Sequence, residues 1–509
     1  MNKLLEKEHY ILKEKIEEYI AGNIKYPDLK KYSAPFGIYK QRNDMFMVRI
    51  RITGGELSLV KYKAIVNIVE KYNIGYIHFS TRQAVQLHDI DPAKVFDIVT
   101  ECTENEMYFK GGGGDTVRNV AVCYYSGLTE NSVFDVMPHA KALASYFYNY
   151  LKAYNLPRKI KFAFSCNSND DSYAKYHDLG FIAKYKDGQK GFEVYAGGGM
   201  GRNSSAAVKI LDFINEDQFI NCAVAATDIF YEHGNRENRN KARLRYVCNS
   251  LGEDKFIELF NNYYNEISNS KTILPEEKLT YDYDFSGLNK IEKSSVLNPN
   301  DFNKWKKLAA IETVYNDIKL LKLFVPYGVV SIDEAKLLLD IVEKINTPFI
   351  RLTRCNDIFI PVNQDQLQGI YGLLESSKDI IDFKADSLEG LITSCIGAKI
   401  CTVGVIDPKP FAESISGCLE GQLEDKEAII NNFINTIKIS GCPNCCSNHP
   451  VSKIGLQGCK KKDSNGESIP HMKLCADQKI IEKLGYENET FLKTSDMSEF
   501  VNRFIKKLL

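Results

Sequence analysis

The chain has 509 residues, of which 44% are hydrophobic and 26% are charged, the proportions of an ordinary globular protein. This length allows several domains, each with its own core. A formal net charge of −1 gives no overall attraction to nucleic acid or to a membrane surface. The first ten residues contain no apolar signal segment, and no apolar run reaches the roughly 18 residues of a membrane span. We therefore expect a cytoplasmic protein with reduced cysteines and with neither a nucleic-acid nor a membrane partner.

Helical and strand-like patterns alternate in the first hundred residues. Apolar periodicity predicts an amphipathic helix over 3–21, which forms an N-terminal arm, and further helices over 58–72 and 92–104. Residues 45–53 alternate between apolar and polar, which predicts a strand that ends at a Gly-Gly pair, and 75–80 predicts a second strand. The beginning of the chain is therefore of mixed α+β type.

This block recurs later in the chain. Residues 68–82 resemble residues 341–354, and both segments end in Thr-Arg. The strand over 45–53 matches 319–326, and 158–167 resembles 436–444 to a lesser degree. A repeat of this length predicts two similar halves rather than a solenoid of many short units. We expect two halves related by a pseudo-twofold axis, each with a small β-α-β unit followed by a larger α+β unit.

Four cysteines form two close pairs in the second half. Cys395 and Cys401 have the spacing C-x5-C, and Cys442 and Cys446 have the spacing C-x3-C within Ser-Gly-Cys-Pro-Asn-Cys-Cys. Four such thiolates can hold one cuboidal iron–sulfur cluster, with one cysteine for each iron. A tetrahedral zinc site is the alternative, although zinc sites usually have C-x2-4-C spacing. Buried free cysteines are also common as small apolar residues.

Basic residues gather in the first half, which lacks this cysteine pattern. Any one Arg or Lys at a strand end is usually solvated, but basic pairs that flank apolar strand residues indicate an anion-binding wall. Such a wall would face the wall that holds the metal. A second basic segment fits either an anion site or a charged, solvated surface. The candidates are Arg49, Arg82, Arg118, Lys159 and Lys161 in the wall, with Lys159 and Lys161 on one face of a predicted strand, and Arg239, Lys241 and Arg243 in the second segment.

The arrangement C-x5-C followed by Gly-Cys-Pro-Asn-x-Cys resembles the cluster motif of the siroheme-containing sulfite and nitrite reductases of the ferredoxin-dependent type. The resemblance implies a siroheme coupled to a 4Fe-4S cluster whose ligands are Cys395, Cys401, Cys442 and Cys446. It also implies that Cys446 is the axial ligand of the siroheme iron. Cys445 occupies the variable position of the motif.

The resemblance also implies roles for the basic residues. Arg49, Arg118, Lys159 and Lys161 match the family's basic residues over the open face of the siroheme, where fixed cations attract an anion and lysine donates protons. Other residues match positions that border the siroheme or can bind its carboxylates, for which the planar fork of arginine is suited. They are Arg82, Gln86 and His88, with Arg239, Lys241 and Arg243 as second candidates.

The implied reaction is the six-electron reduction of sulfite to sulfide. Lys161 favours sulfite, because the family's nitrite enzymes often have Asn at that position. We found no flavin or nicotinamide motif, so we expect electrons from a ferredoxin or a flavoprotein. The alternatives are nitrite reduction to ammonia with the same cofactors, and a non-catalytic iron–sulfur or zinc protein.

With this resemblance the two small units become ferredoxin-like half-domains and the two larger units become the siroheme and 4Fe-4S domains. The expected division is an arm 1–30, half-domain 31–105, α+β domain 106–270 with the basic wall, linker 271–303, half-domain 304–380 and α+β domain 381–509 with the cluster cysteines.

Overall fold

The computed structural model describes residues 3–270, 272–292, 298–384, 390, 392–420, 436–463, 465–487 and 489–508. The strands of this part of the chain build four five-stranded sheets. The helices are α1 Lys3–Ile20, α2 Tyr26–Ser33, α3 Leu59–Lys71, α4 Val95–Glu104, α5 Met137–Asn149, α6 Phe219–His233, α7 Leu244–Leu251, α8 Glu253–Ser270, α9 Pro299–Ala309, α10 Ile332–Ile345, α11 Leu367–Ser377, α12 Gly397–Ile400, α13 Lys409–Glu420, α14 Gln478–Leu484 and α15 Met497–Leu508. The strands are β1 Tyr39–Lys40, β2 Phe46–Ile50, β3 Glu56–Ser58, β4 Tyr76–Ser80, β5 Ala84–Ile90, β6 Ala121–Val122, β7 Phe162–Ser165, β8 Leu179–Lys186, β9 Gln189–Ala196, β10 Val208–Asn215, β11 Ala310–Glu312, β12 Ile318–Leu323, β13 Val329–Ser331, β14 Phe349–Leu352, β15 Ile358–Asn363, β16 Ile392–Ser394, β17 Ile437–Ser440, β18 Ile454–Lys462, β19 Ser468–Cys475 and β20 Phe491–Leu492.

The two small units exchange a strand. Their sheets have the orders β1-β2-β5-β4-β13 and β11-β12-β15-β14-β3. Strand β3 of the first half pairs antiparallel with β14 of the second, and β13 of the second half pairs antiparallel with β4 of the first. Each half therefore completes the sheet of the other, as a pseudo-twofold axis between them requires.

The helix after each exchanged strand follows the same local rules. Helix α3 begins where the Ser58 hydroxyl accepts a hydrogen bond from Lys61 N, and α10 begins at a capping box of Ser331 and Glu334. Both helices bury an apolar face in one shared core, and they touch where the Tyr62 hydroxyl donates to the Ala335 carbonyl at 3.1 Å. The two halves therefore have a common core as well as paired strands.

The two larger units also share one topology. In the first, β6, β7 and β8 are parallel and β9 and β10 follow antiparallel; in the second, β16, β17 and β18 are parallel and β19 and β20 follow antiparallel. Neighbouring parallel strands end at the same edge of a sheet. The loops after β6 and β7, and those after β16 and β17, therefore lie together within each unit.

The predicted elements of the first hundred residues are confirmed, with shifts of a few residues at their ends. Strand β2 stops at Ile50 because Arg51 N donates instead to the Tyr108 carbonyl at 3.0 Å. The strand predicted around Lys159 and Lys161 is wrong, since the only pairing there is an isolated bridge between Val117 and Ile160. No helix in the described ranges is long and apolar enough to cross a membrane.

The domain boundaries stay predictions. Helix α9 begins at Pro299, inside the predicted linker 271–303, and 272–292 contains no helix or strand. The arm packs on the body through Leu12 and Ile16, and Glu8 pairs with the buried Lys110 at 2.6 Å.

Candidate active site between the two halves

The four predicted cluster cysteines lie in loops at one edge of the second large sheet. Cys395 directly follows β16 and Cys401 directly follows α12, while Cys442 and Cys446 lie in the loop after β17. Gly441 N donates to the Cys395 sulfur at 3.1 Å, which joins the two loops. The fold therefore brings together two pairs of cysteines that have 40 residues between them in the sequence.

Gly441 has a steric reason to precede Cys442. A Cβ at this position would lie 2.4 Å from the Ile406 carbonyl oxygen. The Gly441 carbonyl accepts hydrogen bonds from Val405 N and Ile406 N, both at 3.0 Å. The two cysteine loops can approach this closely only because the residue has no side chain.

The thiols influence one another. Burial, and then the neighbouring Cys446 and Cys442, raise the pKa of Cys395 to about 12, while burial, and then Cys442 and Cys401, raise that of Cys446 to about 11. A group of thiols that disfavour one another's ionisation is suited to a cationic metal core, which binds thiolates. The four side chains therefore fit a shared metal centre.

Four thiolates can hold either one zinc ion or one 4Fe-4S cluster with one cysteine for each iron. Among the described residues, no group of three or more His, Cys, Asp or Glu side chains is arranged to hold a metal ion. The choice between the two metal centres therefore depends on the comparisons with known proteins reported below.

The basic residues of the first half face these cysteines. Cys446 raises the pKa of both Arg49 and Lys159, although burial dominates and lowers each below its usual value. Lys159 and Lys161 also act electrostatically on Cys446, whose side chain is accessible to solvent. Cys446 therefore opens onto an internal space between the basic wall and the cysteine loops.

Two arginines of the wall are anchored on one loop. Arg49 Nη1 and Arg118 Nη1 both donate to the Gly112 carbonyl, at 2.8 and 3.1 Å, and Arg118 Nη2 donates to the Gly114 carbonyl at 2.9 Å. Burial, and then the neighbouring Arg49, lower the pKa of Arg118 to about 10. The four-glycine run thus holds two guanidinium groups without neutralising them.

Lys159 and Lys161 are basic side chains without a direct anionic partner. Neither ammonium group has a hydrogen-bond or ion-pair partner within the described part of the chain. Burial lowers the pKa of both lysines well below the usual value, and neighbouring cations lower it further, led by Arg118 for Lys159 and by Arg82 for Lys161. Both groups are therefore available to an anion, and both are stronger acids than an exposed lysine.

Gln86 and His88 lie behind Arg49. With its carbonyl oxygen turned towards Arg49, the Gln86 amide accepts from Arg49 Nε and Nη2, both at 2.8 Å, and donates to His78 Nδ1 and His88 Nε2 at 3.0 and 3.1 Å. Burial lowers the pKa of His78 to about 4 and that of His88 well below its usual value, so both rings stay neutral acceptors. Gln86 and His88 thus orient Arg49, and their contact with a cofactor stays a prediction.

The second basic segment divides into inner and outer residues. Arg243 is buried and forms a bidentate pair with Asp178, at 3.1 and 2.7 Å, while the Asp178 carboxylate also accepts from Lys161 N. Arg239 is exposed and pairs with Asp115, and Lys241 is exposed. Arg243 therefore borders the internal space, whereas cofactor contacts of Arg239 and Lys241 have no support from their position and stay predictions.

Sequence reasoning missed two residues that the fold brings to this space, His177 and Arg354, and it placed a third, Arg245, in the second basic segment. His177 contacts Arg82, Arg354 donates to Asn448 in the cluster loop, and Arg245 Nη1 donates to the Gly199 carbonyl at 3.2 Å. The repeat contained a signal for Arg354, which ends the second copy as Arg82 ends the first. The buried Nε atoms of Arg118, Arg245 and Arg354 have no partner among the described residues.

These unneutralised cations test the fit of a siroheme. The macrocycle carries many carboxylates, and planar guanidinium groups bind carboxylates well. Several arginines and two lysines converge on the space in front of Cys446, and three of the arginines retain unpartnered buried nitrogens. The residues present therefore fit a polyanionic cofactor, which would lie between the basic wall and Cys446.

The first half contains a counterpart of the cluster loops. Cys123 follows β6 as Cys395 follows β16, and Cys166 N donates to the Cys123 sulfur at 2.9 Å, as Gly441 N does to Cys395. The counterpart of Cys446, six residues beyond β7, is Asp171, which accepts from the Tyr125 hydroxyl. The first half thus has the same backbone frame with different side chains.

Comparisons with known proteins agree with this geometry. Residues 113–268 match the family model described as the nitrite and sulphite reductase 4Fe-4S domain, and residues 39–105 match the nitrite/sulfite reductase ferredoxin-like half domain. A ferredoxin–nitrite reductase of Synechococcus elongatus is 26% identical over 427 residues, which cover 82% of this chain and 77% of that protein.

Other relatives carry a different description. A sulfite reductase [NADPH] hemoprotein beta-component of Bacillus subtilis is 24% identical over 449 residues, which cover 81% of this chain and 74% of that protein. The solved structure of the Mycobacterium tuberculosis NirA protein shares the fold, with a TM-score of 0.79 at 20% identity, covering 97% of this chain and 90% of that one.

Proposed function

We propose that this chain, as a member of the siroheme- and 4Fe-4S-containing sulfite and nitrite reductases, reduces sulfite to sulfide. The curated relatives divide between nitrite and sulfite reductases, so the choice of substrate depends on the chain's own residues.

The observation that carries the proposal is the pair Lys159 and Lys161. Both ammonium groups lack a partner among the described residues, and both lie with Arg49 and Arg118 on the wall opposite Cys446. Sulfite is a dianion when fully ionised, whereas nitrite has a single charge. Four basic side chains, none of which forms a direct ion pair with a carboxylate among the described residues, suit the more highly charged anion.

When bound, the siroheme and the cluster supply the electrons and the iron site at which the anion is reduced. The protein residues bind, orient and protonate. Arg49 and Arg118 attract the anion and offset the negative charge that arrives with each electron. Lys159 and Lys161 hold protons at Nζ with a lowered pKa, and they donate these protons to the oxygens that leave as water.

The experiment is anaerobic steady-state kinetics of Lys161→Asn with reduced methyl viologen, with sulfite and nitrite each at limiting concentration. We expect kcat/KM for sulfite to fall by about ten-fold or more, as loss of one charge-assisted contact implies, and to fall less for nitrite. Lys184→Asn is the matched control, since this lysine is 43% exposed and pairs with Glu193. Equal losses on both substrates in Lys161→Asn would remove the reason for preferring sulfite.

Nitrite reduction to ammonia is the second candidate, because the nitrite reductase of Synechococcus elongatus aligns over 82% of the chain. It uses the same wall and the same cofactors. For either substrate we propose a separate protein as electron donor, a ferredoxin or a flavoprotein, because the sequence contains no flavin or nicotinamide motif.

A further inference from the structure

Two arginines that end the two copies of the sequence repeat meet at one imidazole. Arg82 follows Thr81 and Arg354 follows Thr353, at equivalent positions of the two halves. Arg82 Nη1 contacts His177 Nε2, and Arg354 Nη1 lies 3.4 Å from the same nitrogen. The pseudo-twofold relation between the halves therefore places two guanidinium groups side by side.

His177 is an acceptor at this position. Its Nδ1 lies 2.7 Å from the Tyr173 carbonyl oxygen, which can only accept, so Nδ1 carries the proton and Nε2 has the lone pair. Burial lowers the pKa of His177 well below its usual value, and Arg82 and Arg354 lower it further. A neutral ring is therefore shared between two cations.

Other contacts fix the two arginines in place. Arg354 Nη2 donates to Asn448 Oδ1 at 3.0 Å, and its guanidinium group lies 5.0 Å from the centre of the Tyr173 ring. Arg82 Nη2 donates to the Asn119 carbonyl at 2.9 Å. Residues from both halves of the molecule therefore contact the two arginine side chains.

Neither cation has a directly paired counter-ion, and Asp178 acts on Arg82 and Asp170 on Arg354 only from beyond ion-pair distance. Within the described ranges neither Arg82 nor Arg354 forms an ion pair with a carboxylate, and the Arg354 Nε is buried without a partner. Two buried like charges destabilise each other unless an anion lies between or beside them. Arg82 also lowers the pKa of Lys161, and Asn448, which accepts from Arg354, is two residues from Cys446. The two arginines therefore border the internal space of the active site.

We propose that Arg82 and Arg354 form a single carboxylate cradle, that a peripheral carboxylate of the siroheme occupies it, and that His177 is the positioning residue that holds the two guanidinium groups together. Arg354 and His177 are thereby added to the cofactor site. This inference depends on siroheme as the cofactor of the chain, but it does not depend on which anion the enzyme reduces.

The test is an absorbance titration of siroheme into the cofactor-free full chain, which reports binding without any turnover. Loss of one charge-assisted hydrogen bond predicts a dissociation constant weaker by about ten-fold or more for Arg354→Gln, similar to the effect of Arg82→Gln. Arg354→Lys keeps the charge but loses the planar fork, so we expect a smaller loss. Arg236→Gln is the control, because this exposed arginine donates only to the Asn155 and Tyr231 carbonyls.

His177 has its own readout. His177→Phe removes the acceptor, so we expect it to bind siroheme more weakly than the parent chain. His177→Gln offers an amide oxygen in place of the ring nitrogen, so we expect its siroheme binding to be close to that of the parent chain. In the parent chain the effects of Arg82→Gln and Arg354→Gln should be non-additive, because the two residues share one ligand; in the His177→Phe chain they should become closer to additive.

The outcomes separate this inference from the proposed function. If the parent chain binds siroheme, and Arg354→Gln and Arg354→Lys each bind it as tightly as the parent chain does, the cradle is wrong while the proposed function stands. A parent chain that binds no siroheme would overturn both. Equal loss in His177→Phe and His177→Gln would contradict the positioning role.

Discussion

Gly441→Ala tests the steric argument for the cluster loop. The added Cβ would lie 2.4 Å from the Ile406 carbonyl oxygen and 3.3 Å from Gly397 Cα. Carbon–oxygen contacts normally begin at about 3.3 Å, so the two segments must separate by roughly 1 Å. That movement disturbs the bond from Gly441 N to Cys395 and the two bonds that the Gly441 carbonyl accepts.

The magnitude follows from these contacts. Overpacking of a tight site typically costs about 1–3 kcal/mol, and each weakened hydrogen bond adds up to about 1 kcal/mol. We expect a loss of roughly 2–4 kcal/mol in the stability of this loop, together with a cluster that binds less completely because Cys395 and Cys442 move apart.

The assay is iron and acid-labile sulfide per chain in anaerobically purified protein, with the thermal midpoint measured in parallel. Gly417→Ala is the matched control, because this glycine lies within α13 with no atom within 4 Å of the added Cβ, and alanine there should stabilise by about 0.4–1 kcal/mol. Full cluster content and an unchanged midpoint in Gly441→Ala would refute the steric reasoning.

Two further predictions concern Glu56 on the exchanged strand β3 and Cys446, the cysteine predicted to ligate both cofactors. Glu56 on β3 and Arg351 on β14 form a buried ion pair at 2.7 Å, so Glu56→Gln should lower the free energy of unfolding by about 3–5 kcal/mol, measured by denaturant titration. Burial alone would raise the pKa of Glu56, but Arg351 and Lys141 hold it below its usual value of 4.5. The ion pair therefore contributes its full stability above pH 4.5, and this contribution is lost as the pH falls through the lowered pKa. A free energy of unfolding that does not change across this pH range would contradict the ion pair's role. Cys446→Ser should abolish the coupling between siroheme and cluster, and unchanged methyl viologen turnover would refute the bridging role.

Much of the fold followed from local patterns in the sequence. Helix α3 and strand β4 lie within two residues of their predicted bounds, because each has a clear apolar period and ends near a turn. The exchange of β3 and β13 between the halves was not predicted. Each of these strands has only three residues, and its partner lies more than 200 residues away, so no local pattern indicates the pairing.

The candidate site was predicted unevenly for similar reasons. The spacing of the four cysteines predicted a metal centre, and the fold brings the two pairs into neighbouring loops, where Gly441 N donates to the Cys395 sulfur. Arg239, Lys241 and Arg243 looked equivalent in sequence, and only the fold separates the buried Arg243 from its exposed neighbours. His177 carried no motif, since its position depends on the two arginines that flank it in space and not in sequence.

The most direct test of the account is one set of anaerobic measurements on the parent protein, made with siroheme available during expression. The visible spectrum is recorded first, and kcat/KM is then compared for sulfite and nitrite with reduced methyl viologen as donor. We predict siroheme absorbance and a higher kcat/KM for sulfite. Siroheme absorbance with nitrite clearly preferred would contradict the proposed substrate, and absence of siroheme bands would contradict the proposed site.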